Sequence, residues 1–557
     1  MANGNQFSFQ APQSYYYLWH LAALGVIDAT FGPLSPGGEI DYSSPDIEGT
    51  VWDTITQAFP AANTPATIAL IDVGVSRSHP NLKSRLDTVK SIDLVSHPHG
   101  AKYVAAPAAS PYDPEVKAAF FAGLSTAGLG ALNLTGPETG YFNSLIAELV
   151  ASEGVVHTLI EGDETFGSHG TAVAGLAVGE PAATVAPDPA IVLPDVLNCD
   201  DGSVVPNPNR NTLPYFGVDP FSRLISIRTG FEQQPDQFIT AFLYAFASGA
   251  DVILLPRGLP DPNRGALNPK PELSQDLDER QNWERADLFA RLEEATPPAS
   301  EIRPNAVGKT ANRELAWNIL AKLIVAISRK VPVVCAAGND GESQLIYPAN
   351  LAAANNGIVA VGAVTPNGYR SGYSNYGTKL TLVAPSDDFE IYTRHQLRVD
   401  RTDPMVEQHF YHPGTGKVIP HSHFSLLTTD LPGTFGYAGG SDPYSSILPP
   451  HDNPGIGGGY YTTFGGTSGA AALVAGVAAL LARANKAKQG PAAKLDGLSS
   501  KAILVAACDQ NATVKPGTTP LTPDPMNADN EPAKGKGYFF GAGLLDAGKA
   551  VAAVLGP

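Results

Sequence analysis

Gly466-Thr467-Ser468-Gly469-Ala470 opens a long apolar stretch, AALVAGVAALLARAN, spanning residues 471–485. Its small, good helix-forming residues predict a buried helix starting close to Ser468. The first N–H groups of a helix lack intrahelical partners, and its dipole favours negative charge there. A serine at that point either caps the helix or attacks a substrate, with the resulting anion stabilised by the helix end. Alone, the stretch reads as a cap. Its partners elsewhere in the chain decide otherwise.

Thr67-Ile-Ala-Leu-Ile-Asp72-Val-Gly-Val75 is a short apolar run that breaks at Asp and Gly. It predicts a buried parallel strand with Asp72 at its carboxyl end, where sites form in open α/β sheets. Gly167-Ser168-His169-Gly170-Thr-Ala-Val-Ala-Gly175 places a histidine at the start of a small-residue helix. The dipole there disfavours an imidazolium unless a carboxylate offsets it. Val331-Pro-Val-Val-Cys-Ala-Ala-Gly-Asn339 is a second apolar strand, ending in an Asn whose amide can donate to an oxyanion.

The order Asp72, His169, Asn339, Ser468 resembles the subtilisin-like serine proteases, the subtilases. Further segments agree in register: Gly249–Leu255, Tyr347-Pro348-Ala349, Gly357–Val364, Tyr373–Gly377, Val383-Ala-Pro385 and Gly541–Ala547. The resemblance implies an α/β fold in three layers, a mostly parallel central sheet with helices on both faces and long loop insertions. It implies residues 1–50 as an N-terminal arm and 51–557 as one peptidase domain. The insertions fall near 95–160, 180–216, 259–312 and 386–462. It also implies a serine endopeptidase working through an acyl-enzyme. Ser468 is the nucleophile, His169 the general base, Asp72 the residue that orients it, and Asn339 an oxyanion donor. Leu255, Pro256, Arg257, Gly258, Ala337 and Gly338 are the expected substrate-binding residues. The alternatives are a catalytically silent binding protein on the same fold, or an acyl-transfer enzyme such as a transpeptidase or esterase.

The chain departs from the family pattern at identifiable points. Asp72 is followed by Val73, where relatives carry a hydroxyl. Pro256-Arg257-Gly258 replaces the usual Ser-Leu-Gly, which removes a backbone donor and adds a cation beside the expected cleft. Ser468 is followed by Gly469-Ala470-Ala471-Ala472. Asn81 stands where many relatives have an aspartate calcium ligand, so calcium is not expected there.

Composition sets wider bounds. The 557 residues carry a net charge of −18, which argues against binding nucleic acid or anionic membrane by bulk electrostatics. The partner implied is a polypeptide substrate, with no cofactor. Three cysteines, Cys199, Cys335 and Cys508, imply no disulfide framework and fit a reducing compartment. The first twenty residues have no basic n-region and no apolar h-region, which leads to an expectation of a cytoplasmic protein. Only 66 residues precede the Asp72 strand, so an inhibitory pro-domain is not expected, and the arm, the insertions or a regulatory partner would restrain activity. The stretch after Ser468 reads as a core helix and not a membrane span. His409, His412, His421 and His423 have spacings that could gather imidazoles on zinc, but no cysteine or motif register supports this, and no metal site is expected. Tyr141–Val150 and Asp276–Glu294 predict further helices.

Overall fold

The computed structural model describes residues 18–27, 49–60, 64–77, 79–94, 101–102, 124–151, 167–181, 196–197, 204–205, 215–230, 234–261, 309–366, 368–387, 426–431, 436–437, 460–514, 519–523 and 534–556. The four clustered histidines, Cys199 and the expected helix at 276–294 lie outside these residues.

Fourteen strands occur among the described residues: β1 Thr67–Asp72, β2 Ile92–Asp93, β3 Ala101–Lys102, β4 Val196–Leu197, β5 Val204–Val205, β6 Arg223–Arg228, β7 Val252–Leu255, β8 Val333–Ala336, β9 Ile358–Val364, β10 Leu382–Pro385, β11 Leu426–Thr429, β12 Tyr461–Phe464, β13 Cys508–Asp509 and β14 Leu544–Leu545. The helices are α1 Trp19–Ala23, α2 Val51–Ala58, α3 Gly136–Ala151, α4 Ser168–Val178, α5 Pro235–Ala247, α6 Lys309–Ser328, α7 Gly466–Gln489, α8 Gly497–Ala506, α9 Lys536–Phe540 and α10 Ala547–Leu555.

Ten strands form one sheet in the order β3-β2-β6-β1-β7-β8-β9-β10-β14-β13. All neighbours from β2 to β14 run parallel, and only the outermost strands β3 and β13 are antiparallel. The chain winds from β1 towards β6 on one side and from β7 to β10 on the other. The carboxyl end of β1, at Asp72, therefore sits where the direction of winding reverses, which is where crevices open in such sheets.

The strand period of two divides the core. Ile68 and Leu70 face a layer built from α4, α7 and α10, whereas Ala69 and Ile71 face α3, α5 and α6. By the same parity Asp72 points into the first layer, the one that holds His169 and Ser468. Both faces of the strands are buried, which explains their unbroken apolar sequence. The expected three-layer architecture is the observed one.

Helix α7 is the axis of that first layer. It is long and apolar enough to cross a membrane, with mean hydropathy 1.5 over its best window, but every residue of that window is buried inside the fold. The buried Arg483 meets Asp219 at 3.2 Å, and the buried Lys486 meets Asp251 at 2.5 Å, so these two buried charges are paired. Residues from the expected arm also enter this layer. Leu18, Leu21 and Leu24 are fully buried, and Leu24 O accepts from Ala547 N at 2.7 Å. The predicted helix at 141–150 lies within α3.

The stretches read as insertions are not all peripheral. Tyr215 and Phe216 are buried in the α4–α7 layer. Residues 386–462 supply Ser386, Asp387, β11 and the start of β12. β11 pairs antiparallel with β12, and Thr428 and Thr429 donate their hydroxyls to the carbonyls of Ala172 (2.6 Å) and Thr171 (2.8 Å). This strand pair pins the first turns of α4.

Gly170 explains how α4 approaches β1. A Cβ there would overlap the Gly74 carbonyl oxygen and reach 3.4 Å from the Asp72 Cβ. Gly136, at the start of α3, has open space around it. Gly170→Ala is therefore expected to lose about 1–3 kcal/mol in urea unfolding, whereas Gly136→Ala is neutral or gains up to about 1 kcal/mol. Equal effects at the two positions would contradict this packing.

Candidate active site

Asp72 is 1% exposed at the end of β1. Its Oδ1 accepts from Val73 N at 2.7 Å, and its Oδ2 lies 2.7 Å from His169 Nδ1. A carboxylate only accepts, so the imidazole proton is on Nδ1. That leaves Nε2 as the unprotonated nitrogen of the neutral ring, with the His169 side chain 23% exposed. Phe464 meets the imidazole edge-on at 5.5 Å, and Tyr437 packs against Phe464 at 5.9 Å.

The main chain around Asp72 is held from β6. Thr229 donates its N–H (2.7 Å) and hydroxyl (3.3 Å) to Asp72 O. Arg228 donates Nε to Val73 O at 3.2 Å and Nη1 to Asp93 Oδ2 at 2.8 Å. These contacts fix the peptide that leaves Asp72, where relatives place a hydroxyl and this chain has Val73.

Ser468 lies in the first turn of α7 and is 7% exposed. The N–H groups of this turn can be accounted for one by one. Gly466 N donates to Tyr373 Oη (3.1 Å) and Asp387 Oδ1 (3.3 Å). Thr467 N donates to Asn339 Oδ1 at 2.8 Å, and Gly469 N to Gly465 O at 3.2 Å. Ser468 N has no acceptor among the described residues. Gly466 adopts φ +72°, a left-handed conformation suited to glycine, where the chain turns into the helix beside the Asn339 amide.

Asn339 follows β8. Thr467 donates to its Oδ1 through both N–H and hydroxyl, each at 2.8 Å. Two donors on one side of the amide assign that atom as oxygen and direct Nδ2 elsewhere. Nδ2 has no partner among the described residues. Thr467 Oγ1 in turn accepts from Gly338 N at 3.1 Å, so the Ala337-Gly338-Asn339 segment is tied to α7.

The Ser468 hydroxyl donates to Pro256 O at 2.7 Å, and it is not hydrogen-bonded to His169. Pro256 thus lacks a donor but supplies an acceptor. Leu255 closes β7, opposite Cys335 of β8. Gly258 faces Ile346, whose Cδ1 would stand 3.0 Å from an added Cβ, and Ile346 N donates to Ala337 O at 3.0 Å. Ile346 thereby joins the two expected substrate-binding segments. Arg257 departs from expectation. Its guanidinium does not reach into the cleft but turns inward, donating Nη2 to Gly230 O at 2.6 Å. Asp72 meets His169, and Asn339, Ser468 and Pro256 are joined by hydrogen bonds through the first turn of α7, whereas the Arg257 side chain turns to Gly230; Thr467, Asp387, Tyr373, Phe464, Arg228 and Ile346 were not anticipated.

A profile described as "Subtilase family" matches residues 64–522. The chain belongs to the subtilase family. Subtilisin BL of Lederbergia lenta is 48% identical over 60 residues, covering 11% of this chain and 21% of the relative. The extracellular serine proteinase of Thermus sp. strain Rt41A is 34% identical over 87 residues, covering 15% and 20%. The matched segments thus span about a fifth of the length of these curated relatives. Proteases from Pseudoalteromonas arctica PAMC 21717 superpose with TM-score 0.38 and 18% identity, covering 90% of this chain and 92% of theirs. The epidermin leader peptide processing serine protease of Staphylococcus aureus superposes with TM-score 0.42 and 16% identity, covering 92% and 83%.

In this subtilase Asn81 is engaged by protein groups. Its Nδ2 donates to Glu180 O at 2.8 Å, and its Oδ1 accepts from Tyr461 Oη at 2.6 Å. Its N–H donates to His79 Nδ1 at 3.1 Å, and His79 Nε2 donates to Tyr460 O at 2.7 Å. The side-chain amide is committed to hydrogen bonds on both sides, which does not suit a cation ligand. Among the described residues no group of three or more His, Cys, Asp or Glu could hold a metal ion.

Both nitrogens of His79 are committed in its neutral form, and burial lowers its pKa from 6.5 to about 4. Between these values the unfolded chain binds a proton that the folded chain refuses, so stability falls as pH falls. His79 is expected to contribute a loss of about 2–3 kcal/mol between pH 7 and pH 4.5. Urea unfolding at the two pH values should show this drop, reduced in His79→Gln. An equal drop in the variant would contradict it.

Proposed function

We propose that this subtilase is a serine endopeptidase that hydrolyses peptide bonds through an acyl-enzyme. The observation that carries the reading is the pairing of two uncommitted donors, Ser468 N and Asn339 Nδ2, beside a histidine whose Nδ1 proton is held by a buried carboxylate.

The substrate lies extended along Leu255–Gly258, with Ala337 and Gly338 on the other side, bound mainly through its backbone. Ser468 Oγ turns from Pro256 O towards His169 Nε2; such contacts commonly tighten only when substrate is bound. Oγ attacks the peptide carbonyl carbon while its proton passes to Nε2. The carbonyl oxygen becomes an oxyanion, accepting from Ser468 N and Asn339 Nδ2. Asp72 stabilises the imidazolium without taking its proton. The imidazolium then protonates the leaving amine as the C–N bond breaks. Water attacks the ester in the same manner and gives its proton to His169, releasing the carboxylic acid and restoring Ser468. No cofactor enters these steps. The natural substrate is a polypeptide, and restraint by the arm, the insertions or a regulatory partner belongs to the same proposal, as does a cytoplasmic location.

A fluorophosphonate probe tests the reading. Intact-mass analysis should show one adduct on the wild type and none on Ser468→Ala. Peptidase activity should fall to a common floor in Ser468→Ala, His169→Ala and the double variant, because the groups act as a unit. Peptide cleavage that survives in Ser468→Ala would overturn the assignment.

A further inference from the structure

Two consecutive glycines lead into the turn that carries Ser468, and each faces a different neighbour. A Cβ on Gly465 would overlap the Asp387 carboxylate, and a Cβ on Gly466 would stand 3.0 Å from Asn339 Nδ2. The carboxyl group therefore packs on the backbone of the first glycine, and the amide of Asn339 packs on the second. Asp387 comes from the stretch that reads as an insertion, directly after Ser386 and the end of β10.

Ser386, Asp387 and Tyr373 are all buried, and together they hold Gly466 through both of its backbone groups. Gly466 N donates to Tyr373 Oη at 3.1 Å and to Asp387 Oδ1 at 3.3 Å, while Gly466 O accepts from Ser386 Oγ at 2.9 Å. The three holding groups are themselves connected. Tyr373 Oη lies 2.9 Å from Asp387 Oδ1, 2.8 Å from Asp387 O and 3.0 Å from Ser386 Oγ, and Asp387 O also accepts from Ser371 Oγ at 2.5 Å. The peptide between Gly466 and Thr467 is thus fixed at both ends: Ser386 holds its carbonyl, and Asn339 Oδ1 takes its N–H at 2.8 Å. The next N–H along the chain is that of Ser468, so the setting of this peptide decides where Ser468 N and Asn339 Nδ2 stand relative to each other.

We propose that Ser386, Asp387 and Tyr373 are positioning residues for the oxyanion donors: they set the backbone at Gly465 and Gly466 so that Ser468 N and Asn339 Nδ2 meet on one oxygen. They act on the transition state and not on substrate binding. The inference rests on the peptidase reading, and one arm of its test does not require catalysis.

Asp387→Ala and Tyr373→Phe are compared with the wild type in the full chain. Cleavage of a fluorogenic peptide should show kcat lowered about 10–100-fold in Asp387→Ala and about 3–10-fold in Tyr373→Phe, with KM changed less than about twofold, because small misplacements are costly only in the transition state. A peptidyl aldehyde, whose adduct carries an oxyanion, should lose affinity by about the same factor as kcat. The matching peptidyl alcohol forms no oxyanion and should bind as it does to the wild type. Asp387→Asn keeps an acceptor for Gly466 N and should bring kcat back to within about fivefold of the wild type. An unchanged kcat, or an equal loss of affinity for aldehyde and alcohol, would overturn the proposal. Tyr373→Phe removes one hydroxyl and leaves the ring, so it decides the matter if Asp387→Ala does not fold. The arm free of catalysis is amide hydrogen exchange read by mass spectrometry. Exchange across residues 461–470 should quicken in Tyr373→Phe while residues 474–484 stay as in the wild type, and unchanged exchange at 461–470 would also overturn the proposal. Absence of fluorophosphonate labelling in the wild type would instead count against the peptidase reading, with the exchange result still deciding whether these residues hold the turn.

Discussion

The amino end of α7 is the point on which the site depends. A helix whose amino end is buried brings unpaired N–H groups into the interior, where most find an acceptor. Tyr373 and Asp387 take the first and Asn339 Oδ1 takes the second, while Gly469 N closes the turn onto Gly465 O. The Ser468 N–H is left over. Because Asn339 satisfies Thr467 with its oxygen, its nitrogen is directed away from that contact. One requirement, satisfying the helix end, fixes both donors beside the serine.

The opposite wall follows from sheet geometry. Parity puts Asp72 on the α4–α7 side of β1, and Gly170 allows α4 to close onto the strand end, so that His169 meets the carboxylate at 2.7 Å. Buried carboxylates need offsetting charge or donors. Asp93 has Arg228, Asp387 has Tyr373 and Gly466 N, and Asp72 has Val73 N and His169. Asp72, His169, Asn339 and Ser468 are thus embedded in polar contacts made by other residues.

Asp72, His169, Asn339 and Ser468 were legible in the sequence because each stands where an apolar run meets glycine. Such a junction marks the end of a buried strand or the start of a buried helix whatever the rest of the chain does. The three-layer sheet was legible for the same reason, since β1, β8 and β9 are continuous apolar segments. The contacts that depend on residues far apart in sequence were not. Asp387 is nearly eighty residues from Gly466 and sits in a stretch that reads as an insertion. Arg228 looks like an ordinary strand end until its register with Asp72 is known. The cation at 257 was visible, but its direction was not, because it depends on Gly230 and Phe238 lying beneath it.

The central claim is that Ser468 N and Asn339 Nδ2 form one oxyanion site. A crystal structure of the full chain with a peptidyl aldehyde bound to Ser468 tests it most directly. The tetrahedral adduct should place its oxygen about 2.7–3.1 Å from both nitrogens. An adduct whose oxygen lies beyond hydrogen-bonding distance of both, or an aldehyde attached elsewhere with Ser468 unmodified, would contradict it.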